Sequence, residues 1–599
     1  MLVDLSSVTT EDLAWLLLGR LEQEAEGMTN ETVEICHEVL TEAVSVLREE
    51  MNDRTPLLNL PVEILVRILE YVPDPIDCNA SLEYNFRPFW QYEALDSSML
   101  IPVTHTCRRL REVMLSTPLL WSTVVASSSL DEPIAQEFIS DLILRSENVP
   151  LKVLLSPSKQ FTKLVDSFYP KNAHRVQELH LTDVGHRHMK YLESLLSLES
   201  PLLRSYSFDG RAGSLSKWHT HALPIPMNAA ASLRDLYINE VPLLPEIPLP
   251  NITHLALCNI SLPGLHGKIE HVLRGCPNIV YLALSNDVRL DELDQDPAPL
   301  HLQHLRRLTL NTVDAYSLKF YLSLIPPTTH TIALQVLTYQ PDIWTINHGP
   351  QVANCIQSPI KRLAFGGHRD WSTVDFTVSV TAVASSSVFH IVSYLAHSRK
   401  LVVREWLSHL LNLEVPSAFW AVREVWVTHG DERWTVHSES VARAIAGLPL
   451  LDTIVLSHRH SRTLMEPDLS LCPNVDDPLF NSPSLKNLRL IYYDSTGDSQ
   501  LDDLKARRSR GVVRQSLAFY RMVVQLRTNA YRYFDRLVVQ HEQTVEPTEE
   551  HIEVLREHFR EVIVEVVDRR PSIPLPETCY ETRLGPGGDF RKLVAGALW

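Results

Sequence analysis

Three histidine pairs stand two residues apart, at His186/His188, His219/His221 and His458/His460. On a β-strand that spacing puts both imidazoles on one face, which is half of a metal site. Each pair still needs further ligands that the sequence does not identify. With 26 histidines in the chain, loop and surface roles account for these six more simply. Asp291, Glu292, Asp294 and Asp296 offer oxygen ligands for calcium, but the stretch lacks the glycine and distal glutamate of an EF-hand loop and reads as a solvated loop. The eight cysteines, Cys36, Cys78, Cys107, Cys258, Cys276, Cys355, Cys472 and Cys579, are scattered with no CxxC spacing. They fit burial in a reducing compartment better than a disulfide framework or a zinc site. There is no GxxxxGK[ST], GxSxG or HExxH, and no GxGxxG between strand and helix. We therefore expect no catalytic residue, no metal and no cofactor.

Composition narrows the remaining classes. The chain has 599 residues, 45% of them hydrophobic, enough for a sizeable core in several domains or one long repeat array. Its formal charge is −18, from 55 basic and 73 acidic residues, which argues against a general nucleic-acid or anionic-membrane surface. The one dense basic run, Lys505 to Arg510, reads as a solvated helix face. No stretch of 18 or more apolar residues appears, and no basic region with a hydrophobic core stands at the N-terminus, so a soluble protein of the cytoplasm or nucleus is expected.

What remains is a surface that binds, and two patterns would build it. The first runs from Leu57 to Val124. Pro61 stands where a helix would begin and Glu63 lies in its first turn. Ile64, Leu65, Ile68, Leu69 and Val72 then form one apolar stripe until Pro73 and Pro75. A second helix is expected from about Thr104 to Leu115, followed by a short Pro118-Leu-Leu-Trp121 segment.

The opening Leu60-Pro61-x-Glu63-Ile64-Leu65-x-x-Ile68, the stretch Cys107-Arg108-x-Leu110-Arg111 and the closing Leu120-Trp121 resemble the F-box. This is the helical module that docks substrate receptors on the Skp-family adaptor of cullin-type ubiquitin ligases. The resemblance implies an adaptor-binding role for Leu60, Pro61, Ile64, Leu65 and Ile68, with Leu120 and Trp121 beside them. Two features depart from the family: Leu110 stands where a tryptophan is usual, and residues 76–101, which contain Phe86, Phe89, Trp90 and Tyr92, are inserted between the first two helices. The insertion would either cover the docking face or extend it.

The second pattern is a repeat. Segments beginning at Val176, Leu233, Ile252 and Leu305 share Φ-x-x-L-x-Φ-x-x-Φ, where Φ is aliphatic. Weaker copies carry Leu282, Leu363, Val425, Ile454 and Leu488 at the leucine position. Each reads as a short strand, and helical patterns ending in Gly and Pro lie between copies, as at 264–277 and 440–449. Leu236, Leu255, Leu282 and Leu308 are 19, 27 and 26 residues apart. Further strands are expected at 331–337 and 372–380, and helices at 315–325 and 388–397. The pattern resembles degenerate leucine-rich repeats. The expected fold class is thus α/β: a small N-terminal helical F-box module followed by a leucine-rich-repeat-like solenoid of short parallel strands alternating with helices. Independent α/β domains with parallel sheets would use the same elements.

In a solenoid the residues between the strand leucines face outward. His180, Tyr237, His254, Tyr281, Thr309, Trp426 and Arg489 take those places, and Tyr237, Tyr281, Trp426 and Arg489 are the candidate target contacts. The expected organisation is an N-terminal helical segment over 1–54, the F-box over 55–125, the repeats over 126–567 with a C-terminal cap, and an irregular tail over 568–599. The first segment contains two amphipathic helices, at 4–26 and 30–50. Val33, Cys36, Leu40, Ala43 and Leu47 in the second would pack on the F-box or seed a coiled coil.

The whole pairing resembles the F-box proteins of mushroom-forming fungi. It implies a non-catalytic substrate receptor that binds a Skp-family adaptor, through it a cullin ligase, and an unidentified target protein. A repeat scaffold outside any ligase, and an enzyme with its site hidden in 330–430, remain the alternatives.

Overall fold

The computed structural model describes residues 9–72, 97–126, 132–156, 161–210, 222–285 apart from 261, 263 and 264, 300–311 apart from 301, 315–323, 333–338, 359–369, 376–395, 419–429, 445–459 apart from 446, 484–493, 535–541, 549–567 apart from 558, and 573–576. The chain divides into a smaller unit drawn from 1–75, 95–123 and 141–149, and a larger one drawn from 76–94, 124–140 and 150–599.

In the smaller unit, α1 (Thr10–Glu24) starts at a reciprocal cap. The Asp12 amide donates to the Thr9 hydroxyl at 3.2 Å and the Thr9 amide to the Asp12 carboxylate at 3.3 Å. Thr29 caps α2 (Asn30–Asp53) by accepting from the Thr32 amide at 3.3 Å. Along α1 no residue is buried, and of the α2 stripe Val33, Ala43 and Leu47 are exposed while Cys36 and Leu40 are half-buried. The F-box helices follow as α3 (Val62–Leu69), α4 (Leu100–Thr104) and α5 (Arg108–Leu115), with a 3₁₀ turn at Pro118–Trp121. The helix expected from about Thr104 to Leu115 is α5, which starts four residues later at Arg108, and the separate short α4 precedes it. The break falls at His105–Cys107, where Cys107 is extended and its sulfur accepts from the Leu110 amide at 3.5 Å, acting as the N-cap of α5.

The larger unit is a mixed α/β structure built on one sheet, with 17 strands among the described residues. In chain order these are β1 (Thr123–Ala126), β2 (Leu151–Leu155), β3 (Val176–Val184), β4 (Ser205–Gly210), β5 (Asp235–Asn239), β6 (His254–Cys258), β7 (Tyr281–Ser285), β8 (Arg307–Asn311) and β9 (Ala333–Thr338). They continue with β10 (Arg362–Arg369), β11 (Phe376–Val383), β12 (Val388–Leu395), β13 (Glu424–His429), β14 (Thr453–Arg459), β15 (Asn487–Tyr493), β16 (Arg536–His541) and β17 (Glu561–Val566). Helices α6 (Glu132–Arg145), α7 (Phe161–Asn172), α8 (Met189–Leu196), α9 (Leu265–Arg274), α10 (Ala315–Ser323) and α11 (Glu549–Arg556) lie between strands, α6 drawing on both units.

From β2 to β9 each strand pairs in parallel with the next. There the order changes. Strand β9 pairs in parallel with β12, β12 and β11 are antiparallel, β11 and β10 are antiparallel, and β10 resumes parallel pairing with β13. From β13 to β17 the sheet is again parallel and sequential. Among the described strands from β2 to β17, β11 alone is therefore antiparallel to its neighbours.

This meander overturns one expectation. Residues 388–395 form a strand and not a helix. Val388, Ile391 and Val392 are β-branched, and Val388, Phe389, Ile391 and Val392 register against Val383, Ala382, Val380 and Ser379, which suits a pleated surface better than a helix turn. The expected strand at 372–380 is present four residues later, as β11. Three strands had no sequence signal of their own. In β4, Tyr206 and Phe208 occupy the places of the leucines, and β1 and β2 precede the first recognisable copy.

The register shows what the repeated leucine does. Leu179, Tyr206, Leu236, Leu255, Leu282, Leu308 and Leu334 are successive Cα partners across β3 to β9. The row continues through Phe389, Ala382, Leu363, Val425, Ile454, Leu488, Leu537 and Val562. All but the last are buried hydrophobic residues. The residue two places after the second apolar position turns the chain out of the strand: Asp183, Glu240 and Asn259 are left-handed there, with φ of 59°, 54° and 51°. Their neighbours bridge the repeats. Asn239 Nδ2 donates to Asp209 Oδ1 at 2.7 Å, and Asn259 Nδ2 to Asn239 Oδ1 at 3.0 Å.

Residues 440–444 and 446 of the helix expected at 440–449 lie outside the described residues, as do the aromatic residues 86–92 of the insertion, the basic run 505–510 and the acidic cluster 291–296. No helix among the described residues is long and apolar enough to cross a membrane.

Candidate docking face

The exposed part of the F-box stripe is set by how α3 meets its core. Successive turns from Thr55 to Leu60 are closed by backbone bonds, Leu58 to Thr55 at 3.0 Å and Leu60 to Leu57 at 3.3 Å. Pro61 is extended (φ −53°, ψ 148°) and precedes the first helical residue, so it is the N-cap and not the first helical position. Its carbonyl accepts from both Ile64 and Leu65 at 3.0 Å. The Arg109 guanidinium reaches 49 residues back to the Leu60 carbonyl at 3.1 Å and so ties α5 to the turn that presents Leu60 and Pro61.

The stripe then splits. Leu65 (1% exposed) and Leu69 point into the unit with Leu58, Leu100, Val113 and Met114, whereas Ile64 (47% exposed) and Ile68 (38%) remain outside. Leu57, Val62 and Leu119 are exposed apolar residues of the same module. Of the seven sequence-predicted contacts, Leu60 is half-buried and Pro61, Ile64 and Ile68 are exposed, while Leu65, Leu120 and Trp121 are interior. The reason is geometric: residues i and i+1 of a helix point about 100° apart, so a stripe as wide as this one cannot face one side throughout. Trp121 is a structural keystone. Its indole N–H donates to the Met114 carbonyl at 2.8 Å, its ring carries the Arg145 guanidinium 4.8 Å above the centroid, and the neighbouring Leu120 carbonyl accepts from Ser97 at 3.0 Å. Arg145 lies outside the expected F-box boundary at 125, yet it completes the core.

The candidate target contacts fare differently. Tyr237 (1% exposed) and Trp426 (3%) are buried, and Tyr281 and Arg489 are half-buried. The face opposite the leucine row is therefore covered, although the alternation that assigns these residues to it holds. Alternation fixes the side of a sheet and carries no information about what lies on it.

Chemistry-bearing groups do gather on that face. Ser207 Oγ and His180 Nδ1 are 2.6 Å apart, and Glu178 Oε2 lies 3.7 Å from His180 Nε2, with all three side chains buried. Burial outweighs the pull of Glu178 and holds the imidazole below its ordinary pKa. Asp235 Oδ1 and His254 Nδ1 are 2.8 Å apart two strands on. The serine–histidine–glutamate cluster is buried, and its Ser207–His180 bond ties β3 to β4. Among the described residues no group of three or more His, Cys, Asp or Glu could hold a metal ion. His188 Nδ1 instead accepts from the Gly185 amide at 3.2 Å, and His458 lies on β14, with His219, His221 and His460 outside the described residues.

No curated protein matches the chain. Residues 57–127 match the F-box-like family model, which places α3 to α5, the Pro118–Trp121 turn and β1 within one domain, so the chain carries an F-box-like domain, a kind of domain that generally binds Skp-type adaptors.

Proposed function

We propose that the chain is the substrate-recognition subunit of a cullin-type ubiquitin ligase. The F-box-like domain docks on a Skp-family adaptor, and the sheet-bearing unit, read as a degenerate leucine-rich-repeat solenoid, holds a target protein. The observation that carries this reading is the split stripe of α3. A helix that buries Leu65 and Leu69 yet leaves Ile64 and Ile68 in water, beside Leu57 and Val62, has an apolar face in need of a partner. Supporting the repeat half are the leucine rows in register and the spacings of 27, 30, 19, 27, 26 and 26 residues from Leu179 to Leu334.

In this reading the chain performs no chemistry itself. It raises the effective concentration of target lysines near a ubiquitin-charged enzyme in the cytoplasm or nucleus. The alternative is a scaffold with the same F-box but no ligase, and reconstitution with adaptor, cullin and a ubiquitin-charged enzyme separates the two.

The burial pattern also decides which substitution tests docking. Leu65→Asp would put a carboxylate into the core and unfold the module. Ile64→Asp and Ile68→Asp alter surface only and should weaken binding of a purified Skp-family adaptor by about thirtyfold, ~2 kcal/mol, with the thermal melt unchanged. Undiminished adaptor binding by both variants would remove the docking assignment.

A further inference from the structure

Beyond the meander, the face opposite the leucine row carries an apolar patch between polar rows such as Arg362–Glu424–Thr453. Ala364, Trp426 and Val455 are successive Cα partners across β10, β13 and β14, and with Val388 and Ile491 they belong to one buried cluster. The cover on this cluster comes from the C-terminal region expected to be an irregular tail. Ile573 is a buried member of the cluster and Leu575 packs against it, while Pro574 between them is exposed. Side chains two apart in an extended segment share one side, which is the pattern observed. Pro574 and Pro576 have no N–H, so neither can donate to a strand ladder, while Ile573 and Leu575 supply the aliphatic side chains that meet the cluster. The floor they meet is fixed in advance. The Trp426 indole N–H donates to the Glu424 carboxylate at 2.5 Å, and that carboxylate also holds Arg362 at 3.3 Å, so the polar edge of the ring is satisfied and its apolar surface is left for contact.

We infer that this face is a docking groove for an extended peptide carrying two aliphatic side chains two residues apart with prolines beside them, and that Ile573–Pro576 is a built-in occupant which a target of the same chemistry displaces. The inference rests on the reading of the larger unit as a target receptor. A tethered occupant acts at an effective concentration of ~mM, so it screens out weak competitors and admits only peptides that bind the open groove more tightly.

The test uses the full-length chain and a fluorescent peptide of residues 571–578 carrying photo-leucine at the position of Leu575. A control peptide has serine at the positions of Ile573 and Leu575. The peptide should bind the Ile573→Asp/Leu575→Asp variant at least tenfold more tightly than the unaltered chain, cross-link to β10, β13 or β14, and outcompete the control. Equal affinity for both chains, binding of the control, or cross-links elsewhere would overturn the inference. So would a variant that no longer folds, because the segment would then be a fixed part of the core and not a replaceable occupant. Adaptor binding is measured on the same preparations. Its absence in the unaltered chain would count against the ligase reading, whatever the groove result.

Discussion

The same residue type serves opposite ends in this chain depending on what surrounds it. Leu65 and Ile64 are both aliphatic and adjacent, yet one is core and the other surface. Asp209 illustrates the same point electrostatically. Burial, and to a lesser extent the nearby Glu240 and Asp183, push its carboxyl up to about 7 against the pull of the Asn239 amide. A raised folded-state pKa means that the unfolded chain loses this proton first, so Asp209 contributes a penalty that grows as pH rises from about 4 to about 7 and is full above that. Asp209→Asn keeps an acceptor for Asn239 and removes the charge. Its melting temperature should exceed that of the unaltered chain at neutral and alkaline pH, with the gain shrinking towards about pH 4. A pH-independent difference would mean that Asp209 is not held neutral.

Elements were legible where periodicity and propensity agreed. The strands with Leu236, Leu255, Leu282 and Leu308 stand where the pattern put them, because a short strand in a parallel sheet needs two inward aliphatics and little else. Strand β12 misled because Val388 to Leu395 is apolar at most positions, and such a run fits a buried strand or a buried helix equally well by period. Strand β4 was silent because aromatic residues replace its leucines. Equivalent positions are not equally important. Leu255→Ala, in the middle of the parallel run, should cost about 3 kcal/mol in chemical denaturation. Val562→Ala, at the corresponding place on β17, where it is only half-buried, should cost less than about 1 kcal/mol. Equal costs would contradict the graded burial.

At the scale of the whole molecule, the larger unit gains most of its order from neighbour-to-neighbour pairing along a 17-stranded sheet. Protection should then depend on distance from an end. Native-state hydrogen exchange is expected to be slowest in β5 to β8, which have parallel neighbours on both sides and buried side chains, and fastest in β17, which pairs only with β16 among the described strands. Uniform protection from β5 to β17 would show that the sheet opens as one cooperative block.

By itself the sequence determined the periodic parts. It specified the α3 stripe with its proline start, the aliphatic pairs that form the strand rows, and the side of the sheet on which Tyr237 and Trp426 lie, because these follow from the fixed repeats of helix and strand. Only the tertiary structure decided which half of the α3 stripe is core, how β10 to β12 reverse within a parallel sheet, and that Ile573 and Leu575 cover the face around Trp426. Those outcomes depend on contacts between residues up to hundreds of positions apart, such as Arg109 with Leu60 and Ile573 with Trp426, and no local period encodes them.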